Sequence, residues 1–466
     1  MAVTLVWFRD DLRISDNPAL VAAADSGDDV VACYVLDEET EGIRPLGGAS
    51  RWWLHHSLSA LGASLEQLGV PLVLRRGAAG DVIHRLVEDS GAHAVVWNRR
   101  YGLAERTADS SLKSSLTNRG VDATSYQANL MYEPWEVTSG SGQAYKVFTP
   151  FWRACLTFRT PRAPLAAPDS LSSPDGPGLD SDELPAWGLL PTEPDWAQGL
   201  RDTWTPGEAG AHERLDDFLD GAAQGYKNSR NLPAVHGTSM LSPHLRFGEI
   251  SPFEVWHAAQ DHKDSSTAED IRVFGSELGW REFSWQLLYF NPELATVNYR
   301  PEFDAFTWES STQAELEAWQ RGRTGYPLID AGMRQLWEIG WMHNRVRMAT
   351  ASFLIKNLMI DWRVGEKFFW DCLVDADAAS NAASWQWVAG SGADASPYFR
   401  IFNPVLQSKK FDPKGDYLVR FVPELADAEN VHEPWKGSAP GYPAPVVDLK
   451  ESRERALSAY KALSES

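Results

Sequence analysis

Three clusters of side chains in the second half of the chain combine types and spacings that could support chemistry. Thr238, Ser239 and Ser242 set hydroxyls just ahead of an apolar run, where the first N–H groups of a helix point outward. Hydroxyls and free N–H donors together make an anion site, and the same pattern also serves as a plain helix cap. In SELGWREF, Trp280 and Arg281 follow Glu277 by three and four residues; they share one helical face, which on its own describes a buried aromatic beside an ion pair. In WMHNRVRM the same spacing gathers Asn344, Arg347 and Met348 on one side and turns Arg345 elsewhere. The acids Asp375 and Asp377 and the amide of Asn381 follow in VDADAASN. No GxSxG elbow, HExxH helix or P-loop is present, so a hydrolase has little to stand on. Cys33, Cys155 and Cys372 are too few and too scattered for a disulfide framework or a CxxC metal site, so no metal is expected. His55-His56 reads as helix surface rather than as a ligand pair.

The elements that must position these residues fall into two halves. The chain has 466 residues with 43% hydrophobic content, enough for two domains with their own cores. Short apolar runs at 3–8, 29–37, 71–76, 94–101 and 123–132 alternate with helix-length stretches such as 49–69, a βαβ pattern that predicts an α/β domain with a parallel sheet over 1–135. Its first strand runs into Arg9-Asp10-Asp11-Leu12-Arg13 instead of GxGxxG, which disfavours a dinucleotide dehydrogenase. A connector is expected over 136–208; from about 159 it is rich in Pro, Ser, Asp and Gly, and Trp187, Trp196 and Trp204 would pin it to the surface. Residues 209–466 read as a nearly all-α domain, with helices expected at 213–225, 252–260, 268–290, 313–321, 329–339, 342–361 and 366–373.

Charge adds a constraint. With 64 Asp plus Glu against 43 Lys plus Arg the formal charge is −21, which argues against a nucleic-acid partner if taken as a whole. Residues 321–420 alone hold 13 Lys and Arg against 10 Asp and Glu, a net of +3, so −24 rests on the other 366 residues. A locally positive face on an acidic body fits a small nucleic-acid footprint whose affinity falls steeply with salt. No run of eighteen apolar residues occurs, and the start, MAVTLVWFRDDLR, lacks the features of a secretory signal, so no membrane association and a cytoplasmic location are expected.

The stretch from Thr324 to Pro404, together with VWFRDDLRISDN, GYKNSRNLP, GTSMLSPHLRFGEIS and SELGWREF, resembles the DNA photolyase/cryptochrome family over essentially the whole chain. GGASRWWLHHSL, VVWNRRY and the extended connector look most similar to the bacterial class III cyclobutane photolyases. The resemblance implies a Rossmann-like α/β antenna domain, an all-α FAD-binding domain, and light-driven repair of cyclobutane pyrimidine dimers in UV-damaged DNA by a monomer. Reduced FAD, once photoexcited, would pass one electron to the dimer, and the protein would position the two partners. The dimer must first leave the duplex stack.

The resemblance also assigns residues. Tyr226, Thr238, Ser239, Met240, Leu241 and Ser242 align with the FAD-phosphate segment. Arg281, Trp341, Asn344, Arg347, Asp375, Asp377 and Asn381 would hold the flavin, with Arg347 paired to Asp375 and Asn381 at flavin N5. Glu277 would hydrogen-bond the lesion bases, being able to accept imide N–H groups or to donate when protonated. Trp280 and Trp387 would wall the flipped dimer, with Asn344 and Met348 beside it, and Arg230, Arg345, Arg400, Lys409 and Lys410 would reach phosphates. Trp385, Trp362 and Trp308 would carry electrons to the flavin from the surface, with a side branch through Trp370 or Trp341 possible. Relatives that repair (6-4) photoproducts carry histidines where Asn344 and Met348 stand, and cryptochromes often replace the amide found at Asn381; both identities favour dimer repair over the alternative, a signalling cryptochrome. The subclass implies 5,10-methenyltetrahydrofolate as antenna, with deazaflavin the alternative; candidate contacts near the carboxyl ends of the strands are Cys33, Asp37 and Glu38.

Overall fold

The computed structural model describes residues 2–140, 142–175, 178–308, 313–395, 399–437 and 439–463. In its first part β1 (Val3–Phe8), β2 (Asp29–Leu36), β3 (Leu72–Arg76), β4 (Ala94–Asn98) and β5 (Asp122–Tyr126) form a parallel sheet in the order β3-β2-β1-β4-β5. Helices cover both faces, so β1 and β2 are buried along their whole length, as parallel strands usually are. Leu5, Trp7, Cys33 and Val95 pack with Val82, Ile83 and Leu86 of the helix Ala79–Ser90, while Val6, Phe8 and Ala32 share a core with Trp52, Trp53 and Leu58 of the helix Gly48–Leu68.

The fifth strand ends earlier than its apolar run suggests. Beyond Tyr126 the chain leaves the sheet, Gln127 Nε2 donates to Leu130 O at 3.0 Å, and Met131 and Tyr132 are buried among helices of the second half. Their apolar character serves packing between the two halves. The turn after β1 has the same purpose. Arg9 forks onto Asp109 at 2.7 Å, Asn98 Nδ2 donates to Asp11 at 2.5 Å, Asp10 takes Arg246 at 2.8 Å, and Arg13 donates to Gly248 O at 2.8 Å. The FRDDLR segment thus latches the sheet to the helical half.

Within 136–208 the helix Phe148–Phe158 packs on the long helix Ala268–Phe290. The following run then lies along the α/β layer, with Val30 N donating to Ser172 O (2.6 Å) and Leu171 N to Leu68 O (2.7 Å). Trp187 and Trp204 are buried and pin it, whereas Trp196 is 39% exposed.

From Glu208 onward the described residues form helices and no strands. The helix Ala268–Phe290 has the expected bounds. The helix expected at 342–361 is instead divided: Asn344–Ser352 is α-helical, Phe353–Asn357 forms a π-turn, and Met359 adopts φ 57°. A wider turn of this kind often marks a functional site; here it buries Lys356, whose ammonium donates to Arg400 O at 2.5 Å. One core crosses the boundary between the halves, since Trp204, Phe247, Ile339, Trp341 and Val374 cluster with Trp52 and Trp53. No helix among the described residues is long and apolar enough to cross a membrane.

Candidate active site

A cavity of about 530 Å³ opens in the helical half. The helix Ala268–Phe290 supplies Glu277, Trp280 and Arg281; Asn344–Ser352 supplies Asn344, Arg347 and Met348; Ala378–Ala389 supplies Asn381, Trp385 and Trp387. Spacings of three and four keep these side chains on a common face in the first two helices, and Asn381 and Trp385 share one in the third, with Trp387 two residues further on. Tyr226, Ser239, Leu241, Ser242, Trp341, Asp375 and Asp377 complete the predicted lining.

A polar network braces one wall. Arg347 donates from Nη2 to Asp375 Oδ2 at 2.8 Å and from Nε to Met342 O at 2.6 Å. The Ser242 hydroxyl also donates to Asp375 Oδ2 at 2.6 Å, and Trp341 Nε1 donates to Ser242 at 3.3 Å. The other carboxylate oxygen, Asp375 Oδ1, is buried and has no protein partner. Asp377 caps its helix by accepting from Ala379 N (2.9 Å) and Ser380 N (2.6 Å). An orphaned acceptor, hydroxyls at Ser239 and Ser242, and the cation Arg347 fit a cofactor that carries both N–H donors and phosphates, as FAD does.

The mouth carries the lesion candidates. Glu277 is paired with Arg230 at 2.6 Å, and burial pushes its pKa up against the pull of that guanidinium. Trp280 is stacked on Phe148 with ring centroids 4.0 Å apart and 9° between planes, and Trp387 donates from Nε1 to Asp394 O at 3.0 Å. Both indoles are therefore held before any ligand arrives. Phe148 lies in the stretch read as connector; its only sequence signal is the apolar spacing of FTPFWRACLTF.

Several expectations need correction. Thr238 and Met240 do not line the cavity: Met240 turns at φ 50°, and its side chain packs with the core shared by the two halves. Arg345 does line it, because its long side chain folds back to donate to Asn231 Oδ1 and to approach Met348 Sδ at 3.8 Å. Arg281 lines the cavity, but its terminal nitrogens donate to Asn129 O (2.6 Å) and Leu245 O (3.3 Å). Lys409 is engaged by Glu433 at 2.5 Å, whereas Arg400 lies exposed outside the lining, as a contact to a phosphate on the surface would require. Arg246, Ser380, Ser384 and Phe369 line the cavity without having been singled out by sequence.

The three tryptophans differ in burial. Trp385 lines the cavity and is 2% exposed, Trp362 is fully buried with Nε1 donating to Asn298 Oδ1 at 2.9 Å, and Trp308 is half-buried, 4.6 Å from Phe306. Gly365, one turn beyond Trp362, permits this packing, since a Cβ there would run into the Trp385 ring. Trp370 sits beneath Arg44 at 4.0 Å and does not line the cavity.

Of the antenna candidates, Cys33 is not presented to a ligand. Cys33 is wholly buried in the layer between sheet and helices, where burial pushes its thiol pKa far up. Asp37 accepts from Thr40 N (2.9 Å) and Ala79 N (3.2 Å), and Glu38 pairs with Arg51 and, at 3.2 Å, with Arg76. These acids hold their own loop, and no metal-binding cluster occurs among the described residues.

His343 caps the helix Asn344–Ser352, its Nδ1 accepting from Arg345 N at 3.2 Å, a bond that requires an unprotonated nitrogen. Burial, reinforced by Arg345, lowers its pKa to about 4. A pKa depressed on folding stabilises the native state fully above the unfolded value of about 6.5 and progressively less as pH falls towards 4. Lowering the pH from 7 to 4 is expected to remove up to about 3 kcal/mol through this group. Urea melts should show that loss reduced in His343→Asn, which keeps a capping acceptor.

The geometry defines a helical domain with a cofactor-sized cavity, lined on one side by the buried Trp385 and elsewhere by two indoles, Trp280 and Trp387, that are already held in place. Residues 4–169 match the family model for DNA photolyase, and residues 274–462 match that for the FAD binding domain of DNA photolyase. The chain belongs to the DNA photolyase/cryptochrome family. It is 51% identical to the deoxyribodipyrimidine photo-lyase of Agrobacterium fabrum, over 100% of this chain and 99% of that protein. It is 36% identical to cryptochrome-1 of Arabidopsis thaliana, over 97% of this chain and 69% of that protein. A crystal structure of a bacterial class III photolyase from Agrobacterium tumefaciens superposes with a TM-score of 0.96 at 50% identity, covering 100% of this chain and 98% of that one.

Proposed function

We propose that the chain is a deoxyribodipyrimidine photo-lyase that uses light to split cyclobutane pyrimidine dimers in DNA, with FAD in the cavity. The observation that carries this reading is the pair of pre-set indoles, Trp280 and Trp387, lining the same cavity as the Arg347–Asp375 pair and Trp385. FAD, when bound, reduced and photoexcited, would lend one electron to the dimer, whose four-membered ring then splits into the two pyrimidines and gives the electron back. Tyr226, Leu241, Ser239 and Ser242 border its phosphate-bearing part; Asp375, Asp377, Arg347, Trp341 and Asn381 border its ring. Glu277 exchanges hydrogen bonds with the flipped bases, Asn344 and Met348 pack beside them, and Trp280 and Trp387 stack on them. The division into an antenna part over 1–135, a connector over 136–208 and a catalytic part over 209–466 accompanies this reading, as do a monomeric state and a cytoplasmic location.

Illumination of the reduced protein with dimer-containing DNA tests the proposal. Restored thymines are expected; their absence, with FAD bound, favours the photoreceptor alternative. A near-ultraviolet band beyond that of flavin would identify 5,10-methenyltetrahydrofolate as the antenna pigment.

DNA is gripped at the mouth by Arg230, Arg345 and Arg400. Arg345, half-buried and lying 4.8 Å from the Phe411 ring, is held ready to meet a phosphate. Arg345→Met is expected to weaken binding to every DNA sequence alike and to reduce the slope of log affinity against log salt by about 0.9. A salt titration with an unaltered slope would remove Arg345 from the phosphate contacts.

A further inference from the structure

Residues 44–48 of the α/β half are anchored on the helix Trp362–Cys372. The Arg44 guanidinium lies 4.0 Å from the Trp370 ring, Trp370 Nε1 donates to Pro45 O at 2.9 Å, and Gly48 N donates to Asp371 Oδ1 at 2.9 Å. A Cβ at Gly47 would run into the Trp370 carbonyl. From this loop Arg44 forks onto Glu366, Nη1 to Oε1 at 2.7 Å and Nη2 to Oε2 at 3.0 Å. The Glu366 side chain is 4% exposed, so the fork meets a buried carboxylate. On its other side Glu366 receives Asn381: Nδ2 donates to Oε1 at 2.9 Å and to the Glu366 carbonyl at 3.1 Å.

This chain of contacts fixes which end of the Asn381 amide faces the cavity. Both groups around its nitrogen are acceptors, so the NH2 end must turn towards them, and both its hydrogens are used. What Asn381 has left is the acceptor Oδ1, and the residue lines the cavity. Without Arg44 the buried carboxylate would lose its cation and the fork that fixes both of its oxygens. Freed from the fork, the carboxylate could move away from Asn381, and the amide would no longer be held with its NH2 turned from the cavity.

We propose that Arg44 is a positioning residue that acts through Glu366 to make Asn381 present an acceptor to the flavin, thereby favouring reduced flavin, which carries a hydrogen on N5. The inference rests on the reading that FAD occupies the cavity with N5 at Asn381. It places a determinant of flavin chemistry in the α/β half, 322 residues from Glu366.

The test uses the holoprotein with Arg44→Met, Arg44→Gln, Arg44→Lys and Asn381→Ala, each checked for FAD content and melting temperature. The readout is the oxidised-to-reduced flavin ratio, measured by absorbance in the dark at one fixed solution potential. Asn381→Ala, Arg44→Met and Arg44→Gln are each expected to raise the ratio about fivefold, the equivalent of one hydrogen bond. Arg44→Lys should recover part of it, because an ammonium keeps the charge without the fork. A shift in Asn381→Ala with wild-type ratios in both charge-removing variants would overturn the role of Arg44 and leave the flavin placement standing. A wild-type ratio in Asn381→Ala that still binds FAD one to one would overturn the placement, and the inference with it. Met retains an apolar stem over Trp370; should that variant not fold, Arg44→Gln decides alone.

Discussion

Trp387→Ala is expected to weaken binding of dimer-containing DNA by roughly 5- to 150-fold, the range set by losing about 1–3 kcal/mol of base–aromatic stacking. The indole is pinned by its bond to Asp394 O and lines the cavity beside the proposed flavin site, so little ordering is needed when a base arrives. Undamaged duplex should bind almost as before, because contacts to phosphates do not depend on a flipped base. Parallel titrations of damaged and undamaged DNA at one salt concentration measure the difference. Equal losses on both substrates would mean that Trp387 supports the surface rather than the lesion. Trp280→Ala is a less clean probe, since it also removes the stack on Phe148.

The second large effect concerns the supply of electrons. Trp385→Phe is expected to slow photoreduction of the oxidised flavin by more than about tenfold, at least about 1.4 kcal/mol in barrier terms. Phenylalanine keeps an aromatic ring against Phe369, 4.9 Å away in the native protein, but removes an indole that is easily oxidised. Light-driven dimer splitting should persist when the flavin is reduced chemically beforehand, because that step takes no electron from the tryptophans. Photoreduction at the wild-type rate would remove Trp385 from the relay. Loss of both activities would point to a collapsed cavity wall instead.

Much of this arrangement was legible in residue types and short spacings. The βαβ pattern, the SELGWREF face and the grouping of Asn344, Arg347 and Met348 all depend on contacts within a few residues, which repeat with the period of the backbone. The Arg347–Asp375 pair, which the family resemblance implied, is present at 2.8 Å. Expectations that rested on apolar content alone fared less well. Met131 and Tyr132, at the end of a run read as a strand, became packing against helices of the second half. Cys33 sat near the right end of the sheet, but its burial, which an apolar strand does not reveal by itself, takes it out of a ligand's reach. Arg345 was assigned by helical angle, and the reach of a long flexible side chain overrode it.

The sequence by itself determined the two-part architecture, because local periodicity is a property of short segments, and its resemblance to the family pointed to the candidate catalytic side chains. Only the tertiary structure decided that Phe148 stacks under Trp280, that the FRDDLR turn is a latch, and that Arg44 reaches Glu366 from the other half of the molecule. Those contacts join residues more than a hundred positions apart, and a pairing at that distance leaves no periodic trace in a single chain; it exists only once packing has brought the partners together.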